Sequence, residues 1–254
     1  MKEDKELKIT AIIKTQNCED TLCDTLESIS DIDEIIVVDL HSNDDTVQIA
    51  KEYKAKIIYA DKNDVLSGLN QALDEANNDW ILVVEENEIF PQKLIREIQN
   101  YIENPKKNKE SVYLSQKNFY YKKEIKQKRN KNILRLFKKG NCKFSDNYSS
   151  DLELINGKAH KINKNFRIHN CYILKFQKED VVYNFNELLQ KNRFIAKNST
   201  KENCSVVIKP LFVFIYWYFF KGCFLSGRLG FIFAIEKYLD EYLKQLMLYE
   251  RSMK

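Results

Sequence analysis

The amino-acid sequence predicts an α/β fold: a mostly parallel sheet flanked by helices, followed by a helical C-terminal extension. Three observations carry that expectation. Short apolar runs rich in β-branched residues recur from Ile9 to Val84. Segments with helical spacing lie between them. A stretch rich in aromatic residues near the C-terminus differs in character from everything before it.

Ile9 to Ile13, Ile35 to Val38, Ile57 to Tyr59 and Trp80 to Val84 are short and apolar throughout. That is the pattern of strands buried on both faces. Leu22, Leu26 and Ile29 share one helical face, as do Leu66, Leu69, Leu73 and Ala76. Ser42, Asn43 and Asp44 offer N-cap side chains for a helix running to about Tyr53. A further helix starts at Pro91, since proline is tolerated in a first turn. Strand and helix in strict alternation imply right-handed crossovers and hence a parallel sheet.

Beyond about Asn104 the alternation weakens. Ser111 to Leu114, Phe119 to Tyr121, Ile133 to Phe137 and Leu152 to Ile155 are strand candidates, and Lys122 to Lys131 reads as a mobile loop. Glu179 to about Ala196 reads as a helix. The division expected is a sheet domain over residues 1–178, with a basic region at about 104–143, and a helical extension over 179–254.

The 254 residues carry a net charge of +4, but unevenly: residues 106–143 hold fourteen Lys and Arg against two Glu. Such a cluster either meets something anionic or is a solvated lysine-rich face. Nucleic acid is not the expected partner, because no RNA- or DNA-binding module is visible. The six cysteines form no C-x-x-C pair, and the three histidines stand in no ligand spacing with them, which argues against zinc. A charged start, Met1 to Lys8, gives no sign of a signal peptide. Free thiols in a cytoplasmic protein are expected.

Leu211 to Phe220 is ten apolar residues in a row, seven of them aromatic, bracketed by Lys209-Pro210 and Lys221-Gly222. A spanning helix needs about 20. The run therefore reads as a membrane-interfacial surface, the alternative being a buried helical hairpin.

In open α/β sheets ligands bind beyond the carboxyl ends of the strands, where strand order reverses. Three polar clusters fall at such ends. Thr15, Gln16 and Asn17 follow the first strand, Asp39, Ser42 and Asp44 close the second, and Glu85, Glu86, Asn87 and Glu88 close the fourth. Asp39 either accepts a hydrogen bond from a nucleobase or caps its own turn.

The segments ITAIIKTQNCEDTLCDTLESI, DEIIVVDLHSNDDTVQIAKEYKAKII and SGLNQALDEANNDWILVVEENE resemble the opening of family 2 glycosyltransferases of the GT-A fold. KPLFVFIYWYFFKGCFLSGRLGFIFAIEKYLDEYLKQ is similar to the tail of that family's lipopolysaccharide-core branch. The resemblance implies an inverting hexosyltransferase that moves a sugar from a nucleotide-sugar donor to a lipopolysaccharide-core or similar lipid-linked glycan acceptor. It would work in the cytoplasm, peripheral to the inner face of the cytoplasmic membrane. By position Thr15, Asn17, Glu19, Asp39, Ser42, Asn70 and Glu86 would bind the donor.

The family's Asp-x-Asp holds Mg or Mn on the diphosphate. Here Glu85 and Asn87 stand in its place, so a divalent metal site would be weakened. Leu69 stands where relatives carry a Lys or Arg, and the family's His-Glu pair aligns near Ser149 and Ser150, with Asp151 and Glu153 as the candidate bases. The departures leave two readings: a working enzyme in which Lys or Arg of residues 122–143 help to cover the diphosphate, or a catalytically impaired binding and scaffold protein.

Overall fold

The computed structural model describes residues 7–62, 64–103, 111–128, 130–144, 152–154, 171–176, 181–198 and 205–253. The first unit comprises residues 1–116 and 131–175, the second 117–130 and 176–254.

The first unit opens with the expected alternation. β1 (Leu7–Thr15), α1 (Glu19–Ser28), β2 (Ile32–Asp39), α2 (Thr46–Glu52), β3 (Lys56–Tyr59), α3 (Val65–Glu75) and β4 (Trp80–Glu85) follow in turn. Next come β5 (Glu88–Ile89), α4 (Gln92–Glu103), β6 (Ser111–Tyr120), β7 (Lys123–Glu124), β8 (Lys131–Lys138), β9 (Cys142–Phe144), β10 (Leu152–Leu154) and β11 (Ile173–Phe176).

Among the described residues the main sheet has the order β3-β2-β1-β4-β8-β6-β11-β5, with β7 on β6, while β9 and β10 form a separate pair. β3, β2, β1 and β4 are mutually parallel, and β8 pairs antiparallel with both β4 and β6. The sheet is therefore mixed, and the basic middle of the chain supplies its antiparallel part. β6 unites two stretches expected as separate strands. The stretch read as a loop from Lys122 contributes β7.

Alternation along the buried strands fixes the layers. Ala11, Ile13, Leu82 and Val84 face one core with Leu22 and Leu26 of α1 and Leu94, Ile95 and Ile98 of α4. Ile12, Ile81 and Val83 face the other with Leu69 and Leu73 of α3. Each Ile, Leu or Val side chain so buried contributes roughly 1.5–3 kcal/mol.

Local chemistry ends and starts these elements. Glu19 and Asp20 in the first turn of α1 suit its positive end. The Asp64 side chain caps α3 by accepting from Ser67 N. For α2 the N-cap residue is Asp45, one beyond the expected cluster, and Asp44 Oδ1 accepts from Thr46 N instead. Gly68 lets α3 lie against β3's end, since a Cβ there would stand 2.4 Å from Ala60 Cβ. Leu69 is a core residue, 1 % exposed, which explains why no cation stands there.

The second unit is mostly helical, with β7 and the end of β6 as its strands. α5 (Val181–Asn198) and α6 (Ile208–Ile215) lead into a π-helical turn at Tyr216–Phe220, a 3-10 turn at Cys223–Ser226, and α7 (Gly227–Ser252). Tyr120, Ile125, Cys223 and Phe233 form a small core of their own. Asn192 and Lys191 of α5 both bond Asp240 of α7, and Arg251 donates to the carbonyls of Ala196 and Lys197 at the end of α5.

Among the described residues no single helix is long and apolar enough to cross a membrane. Ile208–Phe220 and Cys223–Ser252 pass by length and composition only as a pair bent by 66°. Ile208, Leu211, Phe212, Tyr216, Phe219 and Phe220 are exposed, Phe212 and Phe220 by 66 % and 69 %. Their spacing of three and four makes one stripe, so these side chains are not the inside of a hairpin. Cys18, Cys23, Cys171 and Cys223 are free thiols.

Candidate functional site

The strand order puts β1 between β2 and β4, so the sheet reverses direction of winding at β1 and β4. In register, Thr15 lies beside Asp39 and Lys14 beside Glu85. The three polar clusters read from the sequence thus sit at the ends of three adjoining strands, β2, β1 and β4.

The first two clusters form one network. Asp39 is fully buried. Its Oδ1 accepts from Thr15 Oγ1 at 3.1 Å and from Ser42 Oγ at 2.6 Å, and its Oδ2 accepts from Ser42 N at 2.9 Å. Asn17 N donates to Ser42 Oγ, while Asn17 Oδ1 accepts from Asn43 N, both at 2.9 Å. The starts of α1 and α2 cap each other: Glu19 N donates to Asp44 Oδ2, and Asp45 N donates to Glu19 Oε2.

These bonds hold the loop after β1 to the loop after β2. They also explain the positive φ angles of Asn17 (46°) and His41 (53°), which the network over-determines. Burial works to raise the Asp44 carboxyl, but hydrogen bonds from Thr46 and Glu19 hold it below its ordinary value. Asp39 therefore orders this turn, which is one of the two roles read from the sequence. A feature not read there is the stack of His41 on Tyr59, with centroids 5.7 Å apart, at the carboxyl ends of β2 and β3.

The cluster after β4 is a buried charge system. Glu85 takes two cations: Arg135 Nη2 donates to its Oε1 and Lys175 Nζ to its Oε2. Arg135 Nη2 also donates to Glu88 Oε1 at 2.8 Å. Glu88, fully buried, further accepts from Gln116 Nε2 at 3.3 Å and, through Oε2, from Glu85 N at 3.1 Å.

The backbone explains how two cations arrive here. The pairing of β6 with β8 shifts register between Val112 and Tyr113, whose partners are Leu136 and Leu134, so Arg135 is the extra residue of a bulge. Bulges re-aim side chains. β11 pairs antiparallel with β5 and sets Lys175 opposite Glu88.

Burial opposes ionisation of Glu85, but the charges of Lys175 and Arg135 and their hydrogen bonds hold it well below the usual range. Glu88 is pushed up by burial and by the charge of Glu85, against the pull of Arg135. Both cations are held protonated by the two acids despite their burial. Two acids and two cations close the cluster at zero net charge.

The remaining expected residues are more scattered. Asn70, on α3, accepts from Phe144 N at 3.2 Å and ties β9 to the helix. The carbonyl of Glu86 accepts from Thr25 Oγ1. Asn87 Oδ1 is buried with no hydrogen-bond partner. Glu153 lies on β10, opposite Lys143 in register, and Asp151 lies outside the described residues. Among the described residues no group of three His, Cys, Asp or Glu could hold a metal ion.

The profile of glycosyl transferase family 2 matches residues 10–151. An uncharacterized glycosyltransferase of Rickettsia typhi is 26 % identical over 97 % of this chain and 88 % of its own length. One from Rickettsia conorii is 24 % identical over 97 % and 92 %. Among solved structures, residues 1–349 of TarS from S. aureus in complex with UDP align with a TM-score of 0.49 and 15 % identity, covering 96 % of this chain and 92 % of that one.

Proposed function

The chain belongs to glycosyl transferase family 2, and we propose from that premise that it moves a hexosyl group from a nucleotide-sugar donor to a lipid-linked glycan acceptor at a membrane surface. The observation that carries the donor half is the hydrogen-bonded joining of the loops after β1 and β2, at the strand ends where β1 meets β4. Thr15, Asn17, Glu19, Asp39 and Ser42 shape the nucleoside end. The stacked rings of His41 and Tyr59, with Tyr59 in register with Asp39, offer a face for the base. Glu86 and Asn70 line the sugar-diphosphate end.

The reaction in this reading is a direct displacement with inversion. An acceptor hydroxyl attacks the anomeric carbon, the bond to the nucleoside diphosphate breaks, and a carboxylate takes the hydroxyl proton. Asp151 or Glu153 is the base. The charge left on the departing diphosphate needs cations fixed in advance. Residues 1–178 constitute the transferase domain and 179–254 the extension that meets the membrane.

Support for the membrane half is the exposed stripe from Ile208 to Phe220, flanked by Lys209 and Lys221. Lys221 lies over the rings of Tyr216 and Trp217, at 5.8 and 5.6 Å. Aromatic side chains beside cations are the composition of an interfacial surface. The reading places the protein in the cytoplasm, peripheral to the inner face of the cytoplasmic membrane, with a lipopolysaccharide-core or similar acceptor.

The test is transfer itself. The purified chain is incubated with labelled UDP-glucose, UDP-galactose, UDP-N-acetylglucosamine or GDP-mannose, and with lipopolysaccharide-core acceptor in vesicles. Label in the lipid fraction is expected from one donor. Tight binding of a nucleotide without transfer to any acceptor would favour the scaffold role instead.

A further inference from the structure

The donor set after β4 does not fit a divalent cation. A hard cation such as Mg or Mn gathers about six oxygen ligands. Here every carboxylate oxygen of Glu85 and Glu88 already accepts a hydrogen bond from within the protein. Two of those donors belong to full positive charges that a dication would have to displace or face. Asn87 Oδ1, the one buried side-chain oxygen of the cluster without a hydrogen-bond partner among the described residues, is neutral.

The same cluster has spare capacity of the opposite kind. An ammonium carries three donors, and Lys175 uses one on Glu85 while its side chain stays 26 % exposed. Arg135 is held at the bulge with its Nε buried and without a partner. An unmet N–H in a buried guanidinium is costly to leave so, and a ligand oxygen would satisfy it. Both cations meet Glu85 at the carboxyl end of β4, the strand beside β1, Arg135 from β8 and Lys175 from β11.

We infer that Arg135 and Lys175 are the fixed cations of the diphosphate site, so that this chain binds its nucleoside diphosphate without a divalent metal. Glu85 and Glu88 serve in this arrangement to hold the two cations in position. The inference rests on the transferase reading, and its test separates the two.

The full chain is titrated calorimetrically with UDP, GDP and CDP, each in excess EDTA and again with manganese chloride. The expected result is that one nucleotide binds, with Kd equal within about twofold in the two buffers. Lys175→Met is expected to weaken that binding in EDTA by about tenfold, and added manganese to recover part of it because Glu85 Oε2 has been released. Binding by the wild type that collapses in EDTA and returns with manganese would overturn the inference while leaving the transferase reading intact. A Lys175→Met protein that binds as the wild type does would also overturn it.

If no nucleotide binds a folded wild type, the transferase reading fails and the inference with it. Should Lys175→Met fail to fold, paramagnetic resonance of manganese with the wild-type protein and saturating nucleotide decides. No saturable manganese binding is expected, and saturable binding refutes the inference.

Discussion

Replacing Arg135 by methionine keeps most of the side-chain volume and removes the charge that joins Glu85 to Glu88. The Arg135 side chain is 5 % exposed and that of Glu88 is fully buried, so neither can turn to water when the pair is broken. Glu85 retains Lys175, but Glu88 is left with the amide donors of Gln116 and of the Glu85 backbone. Breaking one side of a buried pair costs about 3–5 kcal/mol. For a chain of this size each kcal/mol lowers the melting temperature by about 2–4 °C. The expected drop is therefore roughly 6–20 °C, read by circular dichroism. Adding Glu88→Gln to Arg135→Met should recover part of the loss, because the stranded charge is gone, and the double-mutant cycle measures the coupling. A loss below about 1 kcal/mol for Arg135→Met, the size of an exposed ion pair, would refute the reading of Arg135 and Glu88 as a buried ion pair.

Other perturbations test separate parts of the account. Tyr59→Ala removes one ring of the stack beside Asp39 and is expected to weaken binding of the cognate nucleoside diphosphate by about tenfold, or about 1.4 kcal/mol, by titration calorimetry; unchanged affinity would remove the stack from the donor site. Phe212→Glu with Phe220→Glu places two charges in the exposed stripe and should abolish co-sedimentation with phosphatidylglycerol vesicles without changing the circular dichroism spectrum. Gly68→Ala drives a methyl group against Ala60 and should destabilise the sheet unit by about 1–3 kcal/mol in urea unfolding. Burial tends to raise the Asp240 carboxyl, but Lys191 and Asn192 hold it below its ordinary value. Its stabilising contribution is thus complete above about pH 4 and lost as pH falls through the lower folded value. Asp240→Asn should flatten the acid limb of the stability curve, and an identical acid limb in that variant would contradict the pairing.

The parallel half of the sheet was legible because burial on both faces leaves an unmistakable run of β-branched residues, as in Ile9 to Ile13 and Ile35 to Val38. β6 and β8 were harder to read. Lys117 in β6 and Lys131 and Lys138 in β8 interrupt the apolar pattern, and a lysine-bearing stretch looks the same whether it is a solvated loop or the exposed face of a strand. The network around Asp39 was legible as two polar strand ends, but the bonds that make Asp39 a turn organiser depend on which loops meet, and no spacing reveals that.

Lys175 was missed, although the sequence held a signal for it. Ile173-Leu174-Lys175-Phe176 and Ile133-Leu134-Arg135-Leu136-Phe137 each set a single cation inside an apolar strand run. A cation buried there must have an acid to meet, and Glu85 and Glu88 were already singled out. Leu69 teaches the reverse. Its place in the helix suggested a lost diphosphate contact, whereas packing against β2 and β4 requires an apolar side chain there.

Hydrogen exchange on the full chain, with and without saturating UDP, GDP or CDP, tests the central claim most directly. If the loops after β1, β2 and β4 form the donor site, one nucleotide slows exchange at residues 15–19, 39–46 and 85–88 together. Protection confined to other parts of the chain, or none with any of the three nucleotides, would contradict the account.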